Sequence, residues 1–137
     1  MTKEDVDRLK EVYRRWNESK GASVEDWLNI MSPTIKMKSL GQGKPGMEFT
    51  MDISSRDELE RYFKGLAEDW EMVHYTPKQF IVGGDRVVML GRCSWRHRKT
   101  GKVIDTPKAD FSTFKDGRIV EFYEFYDTAQ TLAATQP

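Results

Sequence analysis

From the N-terminus, apolar positions recur at helical spacing. Val6, Leu9, Tyr13 and Trp16 stand three, four and three residues apart, and Val12 widens the stripe. A helix therefore runs from near Thr2 until Gly21 ends it. Ser23, with Asp26 three residues on, marks the start of a second short helix. Trp27, Leu28 and Met31 form its buried side, and Pro33 closes it. Ile35, Met37 and Ser39 then alternate with Lys36, Lys38 and Leu40, the pattern of a short strand with one wet face. Residues 41–46, Gly-Gln-Gly-Lys-Pro-Gly, predict a loop. Residues 41–54 make a long connection, the kind that serves either as a functional lid or as a floppy spacer. Ser55 and Glu58 form a capping box for a third helix, with Leu59, Tyr62, Phe63, Leu66 and Trp70 on its apolar face.

Beyond Trp70 the period changes from helical to two. Residues 72–82, 86–98, 103–115 and 118–127 read as strands. They are separated by the turn sequences Gly83-Gly84-Asp85, Lys99-Thr100-Gly101 and Lys115-Asp116-Gly117. Asp127 or Thr128 caps a short last helix through Ala134. Helices followed by four hairpin-linked strands make a single α+β domain over 1–137, with the helices on one face of a curved antiparallel sheet. The last strand is aromatic on both sides, through Phe122, Tyr123, Phe125 and Tyr126. One side faces the core. The other would be an exposed apolar patch in a monomer, so a homodimer packed through the outer sheet face is expected.

Composition narrows the function. The 22 basic and 22 acidic residues cancel, so no overall field draws nucleic acid or an anionic membrane. The basic run Arg96-His97-Arg98-Lys99 reads as a solvated hairpin end, with His97 exposed. A charged N-terminus and the lack of a long apolar run fit a cytoplasmic protein, and the lone Cys93 fits a reducing compartment. Asn17-Glu18-Ser19 matches a glycosylation acceptor with no export signal to support it. Two histidines and one cysteine without ligand spacing predict no metal site, and no cofactor is expected. Gly41-Gln42-Gly43-Lys44 lacks the spacing and hydroxyl of a phosphate loop, and no Gly-x-Ser-x-Gly elbow is present.

The run from Thr106 to Asp127 carries a resemblance. It places an acid, Asp110, beside an aromatic in the penultimate strand. The hairpin Asp116-Gly117-Arg118-Ile119 follows, then an acidic and aromatic last strand ending in Asp127. In this the chain resembles the nuclear transport factor two-like superfamily, in its SnoaL-like branch, over nearly its whole length. The resemblance implies a cystatin-like α+β barrel, a cone whose mouth the helices close around an apolar pocket. It implies no single activity, since such folds host isomerases, cyclases, hydrolases and binding modules. Asp110 resembles the oxyanion-hole Asp of ketosteroid isomerase. The position of that enzyme's base falls near Ser39, and its tyrosine falls near Val12, one residue from Tyr13. Arg92 and Glu124 resemble two members of the limonene epoxide hydrolase set, with Ser94 in place of the third. Asp110 is the nearest match to the acid–base Asp of SnoaL-type polyketide cyclases.

Strand alternation groups the candidates. Lys108, Asp110, Ser112 and Phe114 share one face of the fourth strand; Phe122, Glu124 and Tyr126 share one face of the fifth; Arg92 and Ser94 share one face of the third. If these faces line the cone, Arg92, Asp110 and Glu124 are its polar contents, with acid–base potential or a purely structural ion pair as the alternatives. His74 is a further acid–base candidate, although a histidine in such a strand is more often structural. Trp16, Trp27 and Trp70 lie at core spacing. Tyr13, Trp16, Tyr62, Trp95, Phe122 and Tyr126 are the aromatic groups expected to touch a ligand, a small apolar organic molecule. The reading is a SnoaL-like pocket protein, an isomerase or cyclase on a carbonyl-bearing substrate, or a non-catalytic binding or dimerisation module.

Overall fold

A computed structural model describes residues 1–137. The chain runs α1 (Lys3–Glu18), α2 (Val24–Ile30), β1 (Met31–Ser39), a 3-10 turn (Glu48–Thr50), α3 (Arg56–Asp69), β2 (Trp70–Gly83), β3 (Arg86–His97), β4 (Val103–Lys115), β5 (Arg118–Phe125) and α4 (Thr128–Ala134). Local chemistry accounts for most of the boundaries. Thr2 and Asp5 cap α1 reciprocally. Ser55 accepts from the Glu58 N–H at 3.2 Å to start α3, and Asp127 accepts from the Gln130 N–H at 3.0 Å to start α4. The expected cap on α2 is different: Ser23 makes no side-chain cap bond. The Ser19 hydroxyl receives the N–H groups of Ala22 and Ser23 instead. Met31 and Pro33 belong to β1 rather than to the end of α2.

The sheet order is β1-β5-β4-β3-β2. The four later strands form an antiparallel meander, whereas β1 joins the β5 edge in parallel. Asp116 and Gly117 both take positive φ, 52° and 78°, the backbone of a type I′ hairpin. Two features curl the sheet. β2 shifts register between Met72 and His74 and again between Pro77 and Gln79. Opposite the second shift stands Gly91, where a Cβ would lie 2.3 Å from the Thr76 carbonyl oxygen. Only glycine permits that approach. The helices pack into the concave face. One core of Leu9, Tyr13, Trp27, Ile35, Leu59, Met89 and their neighbours joins α1, α2 and α3 to the strands. A smaller cluster of Met47, Trp70, Ile104 and Ala134 ties α4 to the end of the cone.

The segment 41–54 is ordered wall. Ile53 pairs with Met37 through two backbone bonds of 2.9 Å, the Thr50 hydroxyl donates to the Met47 carbonyl, and the Gly41 N–H donates to the Tyr126 hydroxyl. Trp70 opens β2 rather than closing the α3 face, and His97 is buried edge-on against it at 4.8 Å. No helix is long and apolar enough to cross a membrane.

Candidate active site in the cone

A cavity of about 80 Å³ lies between the concave sheet face, α3, the 41–54 segment and α4. That is several times what one water needs. Its walls are mostly aromatic and aliphatic. Trp16, Tyr62, Trp95, Phe122 and Tyr126 contribute to them, as do Trp27, Trp70 and Tyr75. The charged groups on the wall are Lys108 and Glu124.

Lys108 is 6 % exposed, and Asp110, two residues along β4 on the same face, is 1 % exposed. The Lys108 ammonium donates to Asp110 Oδ1 and to Glu124 Oε2, the latter at 3.0 Å. Asp110 and Glu124 are direct cross-strand partners in the β4–β5 ladder. Three tyrosines complete the network. Tyr13 and Tyr75 donate to Asp110 Oδ2 at 2.8 and 2.6 Å, and Tyr62 donates to Glu124 Oε1 at 2.7 Å. The ammonium also sits 5.6 and 5.7 Å from the ring centres of Tyr75 and Tyr126, within cation–π range.

Burial alone would lower the Lys108 pKa. The adjoining carboxylates of Asp110 and Glu124 outweigh it and hold the ammonium above its ordinary value. Lys108 is therefore a fixed cation, not an amine nucleophile. Burial first, then the nearby carboxylates, raises the hydroxyls of Tyr13, Tyr62 and Tyr75 well above the ordinary tyrosine value. They remain neutral donors. Burial likewise pushes the Cys93 thiol up to about 12, so it stays protonated and unreactive.

Two expected members are elsewhere. Arg92 faces Pro107 across the β3–β4 ladder, whereas Asp110 faces Met89. Directly opposed residues share a side, so Arg92 and Asp110 lie on opposite faces. Arg92 sits on the outer surface in a 2.9 Å ion pair with Asp105. His74 shares that surface. It bonds Thr76 at 3.0 Å and stands 3.7 Å from Asp105. Asp110 is near the cavity but behind Lys108, and the Tyr13 ring packs in the core rather than on the wall. The side chain that sequence reading passed over is Lys108. It is on the same strand face as Asp110, and the β3–β4 register, which pairs Arg92 with Pro107, puts Lys108 on the inner face in place of Arg92.

The position resembling the isomerase base is Ser39, whose hydroxyl pairs with Tyr126 at 2.6 Å. Residues 9–122 match the family model of the SnoaL-like domain. The chain belongs to the SnoaL-like family. Solved structures agree on the fold. An NTF2-like protein from Burkholderia thailandensis is 25% identical, with a TM-score of 0.78 over 98% of this chain and 96% of that one. An NTF2-like protein from Burkholderia pseudomallei is 18% identical, with a TM-score of 0.82 over 99% and 100%. TerC, co-crystallised with polyporic acid, is 15% identical, with a TM-score of 0.79 over 97% and 98%. No match is found among curated proteins.

Proposed function

We propose that this SnoaL-like cone binds a small, mainly apolar molecule with an enolisable carbonyl and moves a proton on it. The observation that carries the reading is the Lys108–Glu124 pair, two adjacent opposite charges on an otherwise largely apolar wall. An ammonium has three N–H donors, and two go to carboxylates, so one is left for a ligand oxygen. A carboxylate accepts about four hydrogen bonds, and Glu124 accepts two within the protein. Glu124 takes the proton from the carbon beside the carbonyl. The C–H electron pair moves into the new C=C bond, and charge gathers on the oxygen. Lys108 stabilises that oxygen from a fixed position in a dry site. Return of the proton to another carbon isomerises the ligand; attack of the enolate carbon on a second carbonyl of the same molecule closes a ring, the C=O pair moving to its oxygen, which takes the proton back from Glu124. Asp110 holds Lys108 in place from behind.

A second reading has its own observation. Lys108, Asp110, Glu124 and three tyrosines bond to one another in one buried network, which suits a rigid binding module without chemistry. Deuterium exchange of 2-tetralone, an apolar enolisable ketone, separates the two by NMR in D2O. The catalytic reading expects exchange faster than in buffer. It also expects a loss of about a hundredfold or more in Glu124→Gln, with 2-tetralone still bound. Binding without accelerated exchange in the wild type would leave the binding module.

A further inference from the structure

Trp70 carries a hydrogen-bond donor that nothing receives. The residue is 3 % exposed and forms part of the cavity wall, and its buried Nε1–H has no partner. Buried donors are nearly always met by protein, ordered water or a ligand, because an unmet one forfeits its whole hydration. Met47, Ile104 and Ala134 cluster with it, and Tyr126, whose hydroxyl is already bonded to Ser39 and to the Gly41 N–H, packs against that cluster. His97 stands edge-on to the indole, and its Nδ1 already accepts from the Thr100 N–H.

This end of the cavity is distant from the charged pair. Ile104, against Trp70, and Lys108 both line the wall and are four residues apart on β4, about 13 Å of strand. We propose that Trp70 Nε1 is a second ligand-binding donor, so that the cone takes a two-ended molecule: an apolar body with an oxygen acceptor at each end. One oxygen meets Lys108 and the other meets the indole. An indole only donates, so the far group is a carbonyl, ether or hydroxyl oxygen and not an ammonium. The inference rests on the reading of the Lys108 end given above.

The test uses an isosteric pair, 6-methoxy-2-naphthol and 6-ethyl-2-naphthol, titrated against wild type and Trp70→Phe. Wild type is expected to favour the methoxy compound by roughly five- to tenfold, the size of one hydrogen bond in a dry site. Trp70→Phe is expected to bind both alike, the methoxy preference being lost whatever the change in affinity common to the two. A second measurement does not need the variant to fold: the Trp70 Nε1–H resonance of the wild type should move downfield with the methoxy compound and not with the ethyl one. Equal affinities in wild type, a preference that survives in Trp70→Phe, or an unmoved resonance overturns the role of Trp70 and leaves the Lys108 end standing. Failure of both naphthols to bind overturns both.

Discussion

Lys108 brings three N–H groups to two carboxylates, Glu124 on the wall and Asp110 behind it. Removing the cation leaves Asp110 and Glu124 facing each other in a dry interior. Lys108→Met should therefore cost about 3–5 kcal/mol, read from urea midpoints at neutral pH. Adding Glu124→Gln should recover part of that loss, and a mild, uncorrected effect would show that the pair is not buried as described. The network also sets an alkaline limit. The folded Lys108 ammonium is held above its ordinary value, burial opposing and the carboxylates prevailing. Its stability contribution is complete below the unfolded lysine value of about 10.4 and is lost as pH rises through the folded value. The raised hydroxyls of Tyr13, Tyr62 and Tyr75 act with the same sign, because the unfolded phenols ionise near about 10. Unfolding free energy should fall from about pH 10 upward; a flat profile to about pH 11 would contradict the network. The grouping of Lys108 with Asp110 on β4, and of Phe122 with Glu124 and Tyr126 on β5, was legible in the sequence because alternation groups the residues of one strand. Arg92 and His74 were misplaced because alternation says which residues of one strand agree, not which strands agree with each other. That takes the register, which the hairpin between His97 and Lys102 sets.

Among the elements, the meander and its turns are local features, and period and turn chemistry announced them. The parallel seat of β1 against β5 is a long-range pairing with no local signal. The junction at Trp70 was hidden for a related reason: its spacing continues the α3 stripe, yet its backbone is already extended, with φ −131° and ψ 148°. His97 looked exposed among basic neighbours, but it alternates with Cys93 and Trp95 on the inner face of β3. Gly91 is the element-scale test of curvature. A Cβ there meets backbone, the Thr76 oxygen at 2.3 Å and the Pro77 Cα at 3.0 Å. Gly91→Ala should cost about 1–3 kcal/mol by chemical denaturation, with a weakened cavity. A neutral substitution would mean that the register shift at Pro77–Gln79 accounts for the curl by itself.

For the whole molecule, the two faces of the sheet have separate roles. The concave face encloses the cavity. The outer face carries Phe111, 44 % exposed, packed 5.3 Å from Phe125, which stacks on Tyr123 at 4.3 Å. We propose that this aromatic strip pairs with the same strip of a second copy, as the sequence led us to expect. Light scattering should then give twice the 16.0 kDa chain mass, and Phe111→Lys should halve it. A wild-type monomer at micromolar concentration would reject the pairing without touching the cone. Ligand binding inside the cone is tested by a crystal structure of the protein with 2-naphthol: the naphthol ring is expected inside the cavity with its oxygen about 3 Å from Lys108 Nζ. A cavity left empty, with naphthol only on the outer surface or absent altogether, would contradict it.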